Sequence, residues 1–271
     1  MFTTEIPINR EIVEKFFLKN DIVSHPFYCG IAPKTPLDDK FKNSLMTSSL
    51  AKNKNKVKDY FDYVIEVMKF RQKSYKKDLK SKDYWKVLFA IEKPYRLDWL
   101  QENFDLLKDN QDKYYELLKQ AYIQTEFPMQ NKTEDEIIDL FTVYGNPQIM
   151  MDSIDLERFK KLPKVIKIFR GVRVKKNEKL NLDNIGISYT LDEERAKWFA
   201  KRLQCDGDKP ILLSAEIRKK DIFSLFLDRG EDEIIVNPNL IRNLLVVNLD
   251  EDTLDRKRKL ANEMLIKMNE K

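Results

Sequence analysis

The sequence predicts an α+β protein in which a helical N-terminal region precedes a second half rich in strands. Two observations predict this fold class. Apolar residues between Ser44 and Tyr144 recur mostly at intervals of three and four, the spacing of amphipathic helices. After about residue 150, short β-branched runs alternate with turn residues, and four of the six glycines of the chain fall there. We therefore divide the chain into a mostly helical region, 1–150, and a second domain, 151–271.

The helical region follows an irregular segment. Residues 1–44 contain four prolines and predict one short helix, Glu11–Leu18, in otherwise irregular chain. Further prolines divide the helices that follow, because proline cannot continue a ladder of helix hydrogen bonds; they are Pro94, Pro128 and Pro147. Thr133 and Glu136 form a capping-box pattern, which predicts a helix running to about Val143.

The second domain is predicted to begin with a helix after Asp152, followed by five strands and two further helices. The strands are Lys164–Val174, Asn184–Thr190, Ile211–Ile217, Glu231–Val236 and Leu244–Leu249. Thr190 and Glu193 form a second capping-box pattern, which predicts a helix from Leu191 to Leu203. The amphipathic segment Asp252–Lys271 predicts a closing helix.

Composition excludes several kinds of site. The single histidine, His25, and the two cysteines, Cys29 and Cys205, cannot build a four-ligand zinc site or a His-centred triad, so no metal is predicted. No Gly-x-Gly-x-x-Gly or P-loop pattern occurs. The sequence contains neither an apolar run near the roughly 20 residues of a membrane span nor a signal-peptide pattern. We expect no membrane partner and a cytoplasmic location, in the protein's own cell or, for a toxin delivered by a non-classical route, in a host cell.

Positive charge is concentrated in one helical segment. Residues 52–86 carry twelve Lys and Arg against five acidic residues, a net charge of +7, whereas the whole chain carries +5. This segment is either a solvated helical face or a docking surface for an acidic protein or a nucleic acid. Tyr75, Tyr84 and Trp85 interleave with the lysines and are either core residues or stacking surfaces for bases.

Candidate chemistry lies in the second domain. Arg170 ends the apolar face of its predicted strand, where an unpaired charge is costly. Glu231 and Glu233 alternate along a predicted strand and so share one face, roughly 7 Å apart. Ser188 and Thr190 share a strand face beside the predicted start of a helix, which favours an anion. Together these residues can bind a diphosphate and stabilise a neighbouring positive centre.

These residues stand in three motifs, Phe169-Arg170-Gly171, Ser188-Tyr189-Thr190 and Glu231-Asp232-Glu233. In order and spacing the motifs resemble those of the arginine-serine-glutamate class of mono-ADP-ribosyltransferases. That class includes clostridial binary-toxin enzymes, vertebrate arginine-specific transferases and several phage-encoded enzymes. The resemblance covers about residues 155–250. It implies a split, mostly antiparallel β-sandwich with an NAD-binding crevice between its sheets.

The resemblance also implies how NAD, the substrate, is held. Arg170 and Arg202 would clamp the pyrophosphate, and the Gly171 backbone would approach the nicotinamide amide. Phe199, eleven residues after Ser188, would stack on the nicotinamide ring. The hydroxyl of Thr190 fills the third position of its motif, within the NAD-binding site.

Catalysis is assigned by the same resemblance. Glu233 would stabilise the oxocarbenium ion as nicotinamide leaves, and Ser188 would orient Glu233. Glu231 would position and help deprotonate an acceptor guanidinium. The resemblance therefore implies transfer of ADP-ribose to an arginine of a protein, without a metal. Two alternatives are a nucleic acid as acceptor, which the basic segment 52–86 favours, and an inactive binding module of the same fold.

Overall fold

The computed structural model describes two compact units, Met1–Thr133 and Glu134–Lys271. The residues it describes are 8, 10, 11, 22–31, 60–125, 132–175, 177–183, 185–202, 208–227 and 230–249. The division between the units falls before the boundary placed near residue 150 from the sequence. Within these residues, no helix has the length and apolar character needed to cross a membrane.

The first unit contains a hairpin that the sequence analysis did not predict. Strand β1 (Ile22–His25) pairs antiparallel with β2 (Tyr28–Ile31), and Pro26 and Phe27 form the turn between them. The prediction of irregular chain is wrong here, because the prolines mark a turn within the segment rather than the absence of strands. The predicted helix Glu11–Leu18 lies almost wholly outside the described residues.

Helices make up most of the other residues that the structure describes in the first unit. They are α1 (Tyr60–Lys80), α2 (Tyr84–Ala90), α3 (Arg96–Glu102) and α4 (Gln111–Gln124), with 3-10 turns at Lys93–Tyr95 and Phe104–Leu106. The prediction of a helical region is confirmed over residues 60–125. Trp99, Tyr114 and Tyr115 are almost completely buried between these helices, so aromatic residues supply the largest side chains of the core.

The second unit combines helices with one connected antiparallel sheet. Its helices are α5 (Glu134–Thr142), α6 (Ser153–Lys160) and α7 (Glu193–Lys201), with 3-10 turns at Pro147–Met150, Lys219–Asp221 and Pro238–Leu240. Its strands are β3 (Val165–Val174), β4 (Ser188–Thr190), β5 (Lys209–Arg218), β6 (Ile222–Phe226), β7 (Glu233–Val236) and β8 (Arg242–Asn248). The sheet order is β6-β7-β4-β3-β5-β8, and every pairing is antiparallel. The α+β class and the antiparallel pairing are confirmed, whereas the described strands join into one six-stranded sheet rather than two separate ones.

The two faces of the sheet carry different core clusters. Ile166 and Ile168 belong to the larger cluster, which also contains Tyr189 of the neighbouring strand. Phe169 belongs to a smaller cluster with Ala196 of α7. The predicted alternation of side chains along β3 is therefore confirmed, and α7 covers the Phe169 face.

Several predicted boundaries in this unit are wrong for local backbone reasons. Strand β4 begins at Ser188 rather than Asn184, because Gly186 has φ +82° and interrupts extended chain. Helix α7 is capped by Asp192, whose carboxylate accepts hydrogen bonds from the amides of Glu194 and Arg195, and not by Thr190. Strand β6 was not predicted from the sequence, since all but one of its residues are buried and its apolar pattern does not alternate. The predicted helix Asp252–Lys271 lies outside the described residues.

Candidate functional site

Ser188 and Glu233, which are 45 residues apart in the chain, meet on neighbouring strands. The Ser188 hydroxyl donates a hydrogen bond of 2.6 Å to Oε1 of Glu233. The two side chains share one face because β4 pairs with β7 with Thr190 opposite Glu233. Glu233 is only 7% exposed, so this hydrogen bond holds a nearly buried carboxyl group in a defined orientation.

Arg170 reaches the same serine from the other face of the sheet. Its Nη1 donates a 2.5 Å hydrogen bond to the backbone carbonyl of Ser188. The strand register aligns Arg170 with Leu213, and both lie on the face of the larger core cluster, opposite the Ser188 and Glu233 side chains. Nε of Arg170 is buried and has no hydrogen-bond partner in the described part of the chain. Arg170 and Glu233 are therefore linked through Ser188 and do not line one face together.

The backbone just before β4 is shaped around the Arg170 guanidinium. A Cβ added to Gly186 would lie 2.5 Å from Nη2 and 2.7 Å from Cζ of Arg170, and φ at this glycine is +82°. The Gly186 amide donates a hydrogen bond to Oε1 of Glu134, the first residue of α5. Glu134 is a site residue that the sequence analysis missed, because no local pattern links it to a backbone amide 52 residues away.

Tyr189, between the two hydroxyl residues of its motif, is part of the core. Its side chain is 2% exposed, and its hydroxyl has no partner among the described atoms. Burial is the main cause that raises the pKa of Tyr189 to about 12. The Arg170 guanidinium lowers this pKa by a smaller amount, and the Glu134 carboxylate raises it slightly. The phenol is therefore neutral at physiological pH, and Tyr189 packs beside the Arg170 guanidinium without adding a charge.

Glu231 does not share a strand face with Glu233, contrary to the prediction. Strand β7 begins at Glu233, and Asp232 has φ +44°, so Glu231 belongs to the preceding turn. Thr190 holds this turn against the start of α7: its hydroxyl donates to the Glu231 carbonyl at 2.5 Å and accepts from the Asp192 amide at 3.1 Å. Glu231 is two residues from Glu233 in the chain. The left-handed backbone of Asp232 between them means that their side chains do not follow the alternation of a strand.

The remaining predicted site residues lie on or against α7. Arg202 follows the last turn of the helix and is exposed, with its guanidinium 4.8 Å from the ring centre of the half-buried Phe199. Gly171 faces the helix backbone, since a Cβ there would lie 1.9 Å from the carbonyl oxygen of Ala196. Close packing of helix on strand therefore requires this glycine, apart from any approach to a ligand.

The aromatic residues of the basic segment divide between core and surface. Tyr75 is 5% exposed and its hydroxyl accepts a 3.1 Å hydrogen bond from Trp99, so it is a core residue and is not available to stack on a base. Tyr84 packs against Trp99, with ring centres 6.3 Å apart. Trp85 is half-buried, stacks on Phe89 and donates to a carboxylate oxygen of Glu116.

A metal site and surface depressions are the other candidate sites in the same part of the chain. No group of three or more His, Cys, Asp or Glu residues that could hold a metal ion occurs among the described residues. Two surface depressions of about 540 and 330 Å³ lie in the second unit, and neither is lined by a residue of the three motifs.

Comparisons of the chain with protein-family models, curated proteins and solved structures find no match.

Proposed function

We propose that this protein is an NAD-dependent mono-ADP-ribosyltransferase that modifies an arginine side chain of a protein and releases nicotinamide. The observation that supports the proposal is the contact pattern of Ser188. Its hydroxyl bonds to Glu233 and its carbonyl accepts from Arg170, so three motifs separated along the chain converge on one residue. The hydrogen bond between Ser188 and Glu233 is the contact that the resemblance implies, whereas Arg170 reaches this site only through the Ser188 carbonyl.

In the first step the bond between nicotinamide and the ribose of NAD breaks. Nicotinamide leaves with the bonding electron pair, and positive charge develops on the ribose as an oxocarbenium ion. Glu233 is the residue assigned to stabilise that charge and to accept a hydrogen bond from a ribose hydroxyl. Ser188 keeps one oxygen of Glu233 in place, so little reorganisation is needed as the charge develops.

In the second step a nitrogen of the acceptor guanidinium bonds to the ribose carbon and loses a proton. A guanidinium is a poor nucleophile because its pKa exceeds about 12. Glu231, in the turn that precedes Glu233, is the residue assigned to position this group and to accept the proton. Glu231 lies outside the strand that contains Glu233.

The two arginines have different parts in the proposal. Arg170 is a positioning residue, because its guanidinium lies under the Gly186 backbone and holds the Ser188 carbonyl. Arg202 is exposed at the end of α7 and is assigned to the NAD pyrophosphate, with the neighbouring Phe199 ring for nicotinamide. This division departs from the paired clamp of Arg170 and Arg202 that the resemblance implies.

The experiment measures nicotinamide release from NAD and transfer of label from NAD to lysate protein with three variants. Glu233→Gln should lower both by at least about 10²-fold. Glu231→Gln should lower transfer by about 10²-fold and leave NAD hydrolysis nearly unchanged. Glu178→Gln, which changes an exposed carboxylate outside the three motifs, should change neither.

Three outcomes would contradict the proposal. If the wild type releases nicotinamide no faster than the Glu233→Gln variant does, the protein is an inactive binding module. Label that nuclease removes would indicate a nucleic acid acceptor. Label on protein at side chains other than arginine, located by mass spectrometry, would contradict the assigned acceptor.

A further inference from the structure

A basic depression lies at the ends of β3 and β5, where Val165 pairs with Arg218. It has a volume of about 540 Å³. Two apolar side chains, four cations and one amide side chain line it; they are Phe159, Val165, Lys164, Arg218, Lys219, Lys220 and Gln148. None of these residues has a part in the proposed transferase chemistry.

The cations of the depression are held in different ways. Lys219 is fixed, because its Nζ donates to the carbonyls of Lys160 and Leu162 at 2.7 and 3.1 Å. Arg218 pairs with Asp221 at 2.5 Å. Lys164 and Lys220 are exposed and form no ion pair with any residue that the structure describes. Two cations are therefore available to an anionic ligand, beside a third that is fixed in position.

The floor of the depression is apolar. Val165 is 53% exposed there, although it occupies the first position of a strand in the sheet. Phe159 is 6% exposed, and Lys219 Nζ lies 5.2 Å from its ring centre. The Phe159 ring therefore has little exposed surface on which a base could stack. The exposed Val165 side chain provides an aliphatic surface that can contact about one side chain of a ligand.

We propose that this depression binds an acidic peptide segment of a partner protein, with an aliphatic side chain on Val165 and flanking carboxylates on Lys164 and Lys220. Charge complementarity selects an anionic partner, and the cations raise the association rate by steering it. The aliphatic floor and the covered ring favour a peptide over a nucleic acid, whose recognition without base pairing depends on aromatic stacking.

The test measures fluorescence anisotropy of three labelled probes with the full chain. The probes are a short peptide of glutamates with a central leucine, an all-glutamate peptide of equal length and an oligothymidylate. The leucine peptide should bind most tightly, and added salt should weaken its binding. Lys164→Glu combined with Lys220→Glu should weaken it by about tenfold or more.

Two further variants separate this depression from general surface charge. Lys179→Glu combined with Lys209→Glu makes the same charge change at exposed lysines elsewhere in the second unit, and should alter binding much less. Val165→Ser should weaken the leucine peptide and leave the all-glutamate peptide unchanged. The proposal would be overturned if oligothymidylate binds more tightly than the leucine peptide, or if the leucine peptide does not bind. It would also be overturned if both double lysine variants weaken the binding of the leucine peptide equally.

Discussion

The choice of residue at several positions of this protein is explained by contacts with residues that are far away in the sequence. Gly186 has room for the Arg170 guanidinium because it has no side chain, and Glu134 holds its amide. Ser188 then connects this arrangement to Glu233. Gly186 and Ser188, two residues apart in the chain, thereby help to position a carboxylate on another strand.

Replacing Gly186 with alanine tests this arrangement. Gly186→Ala should destabilise the second unit through strain at φ +82° and through collision with Arg170, by about 2–4 kcal/mol in all. Urea unfolding measures the loss. Gly145→Ala is the matched control, since Gly145 has φ +73° and a Cβ there would meet no atom within 4 Å. Gly145→Ala should cost about 1–2 kcal/mol. Equal costs at the two glycines would contradict the predicted collision, because the Arg170 guanidinium would then move aside at little cost.

The single histidine makes the stability of the first unit depend on pH. His25 is 3% exposed, its Nδ1 accepts from the Phe27 amide at 3.1 Å, and burial lowers its pKa from 6.5 to about 4. Between these values the unfolded chain binds a proton that the folded imidazole does not. The free energy of unfolding should therefore fall as pH decreases from about 6.5 to about 4, by up to about 3 kcal/mol in total.

Two measurements check the histidine prediction. NMR of the imidazole gives the pKa directly, because no other histidine titrates in the chain. Urea unfolding between pH 7 and about pH 5 should show the decrease in the wild type and a smaller one in His25→Gln. An NMR pKa near 6.5, or equal pH dependence in both proteins, would contradict the prediction.

At the scale of elements, the contact of α7 with β3 determines what surrounds the candidate site. Ala196 and Ala200 present backbone atoms to Gly171, where a Cβ would lie 1.9 Å from the Ala196 oxygen and 2.5 Å from the Ala200 nitrogen. Only small residues on both elements permit this approach. The Asp192 cap and the Thr190 hydroxyl then determine where the helix begins.

Gly171→Ala should therefore displace α7 from the sheet. The added methyl group meets backbone, which cannot move aside as a flexible side chain can, so a cost of about 3 kcal/mol or more is expected. Amide hydrogen exchange in α7 should become faster than in the wild type. A loss under about 1 kcal/mol in urea unfolding, with exchange unchanged, would show that the helix is not packed so closely.

At the scale of the whole molecule, the described contacts place 134–150 with the second unit. The Phe141 ring stacks on Phe223 with ring centres 6.2 Å apart, and Gln148 donates to the Ile222 carbonyl at 3.4 Å. Phe141 is completely buried. These residues support the β6 side of the sheet and, through Glu134, the backbone before β4.

Two truncated chains distinguish the boundaries. Residues 134–271 should unfold cooperatively, whereas residues 151–271 should not, because the shorter chain lacks α5 and exposes the surface that Phe141 covers. Circular dichroism during urea unfolding provides the comparison. Cooperative unfolding of both chains with equal midpoints would favour the boundary near residue 150.

The sequence by itself determined the α+β class, the helical region, the long strand β3 and the order of the three motifs. These features depend on periodicity and on nearest neighbours in the chain, which a single sequence contains. It did not locate β6 or the start of β7 after Asp232, because a short buried run and one left-handed residue have weak local signals.

Only the tertiary structure decided which residues meet. Ser188 contacts Glu233, Glu134 contacts Gly186, and Arg170 lies on the opposite sheet face from Glu233. The first and the third of these facts depend on strand register and sheet order, where a shift of one residue would reverse every face, and the second depends on how helix α5 packs against the backbone before β4. That register is determined by long-range packing of the buried side chains, which no pattern within one segment of the chain contains.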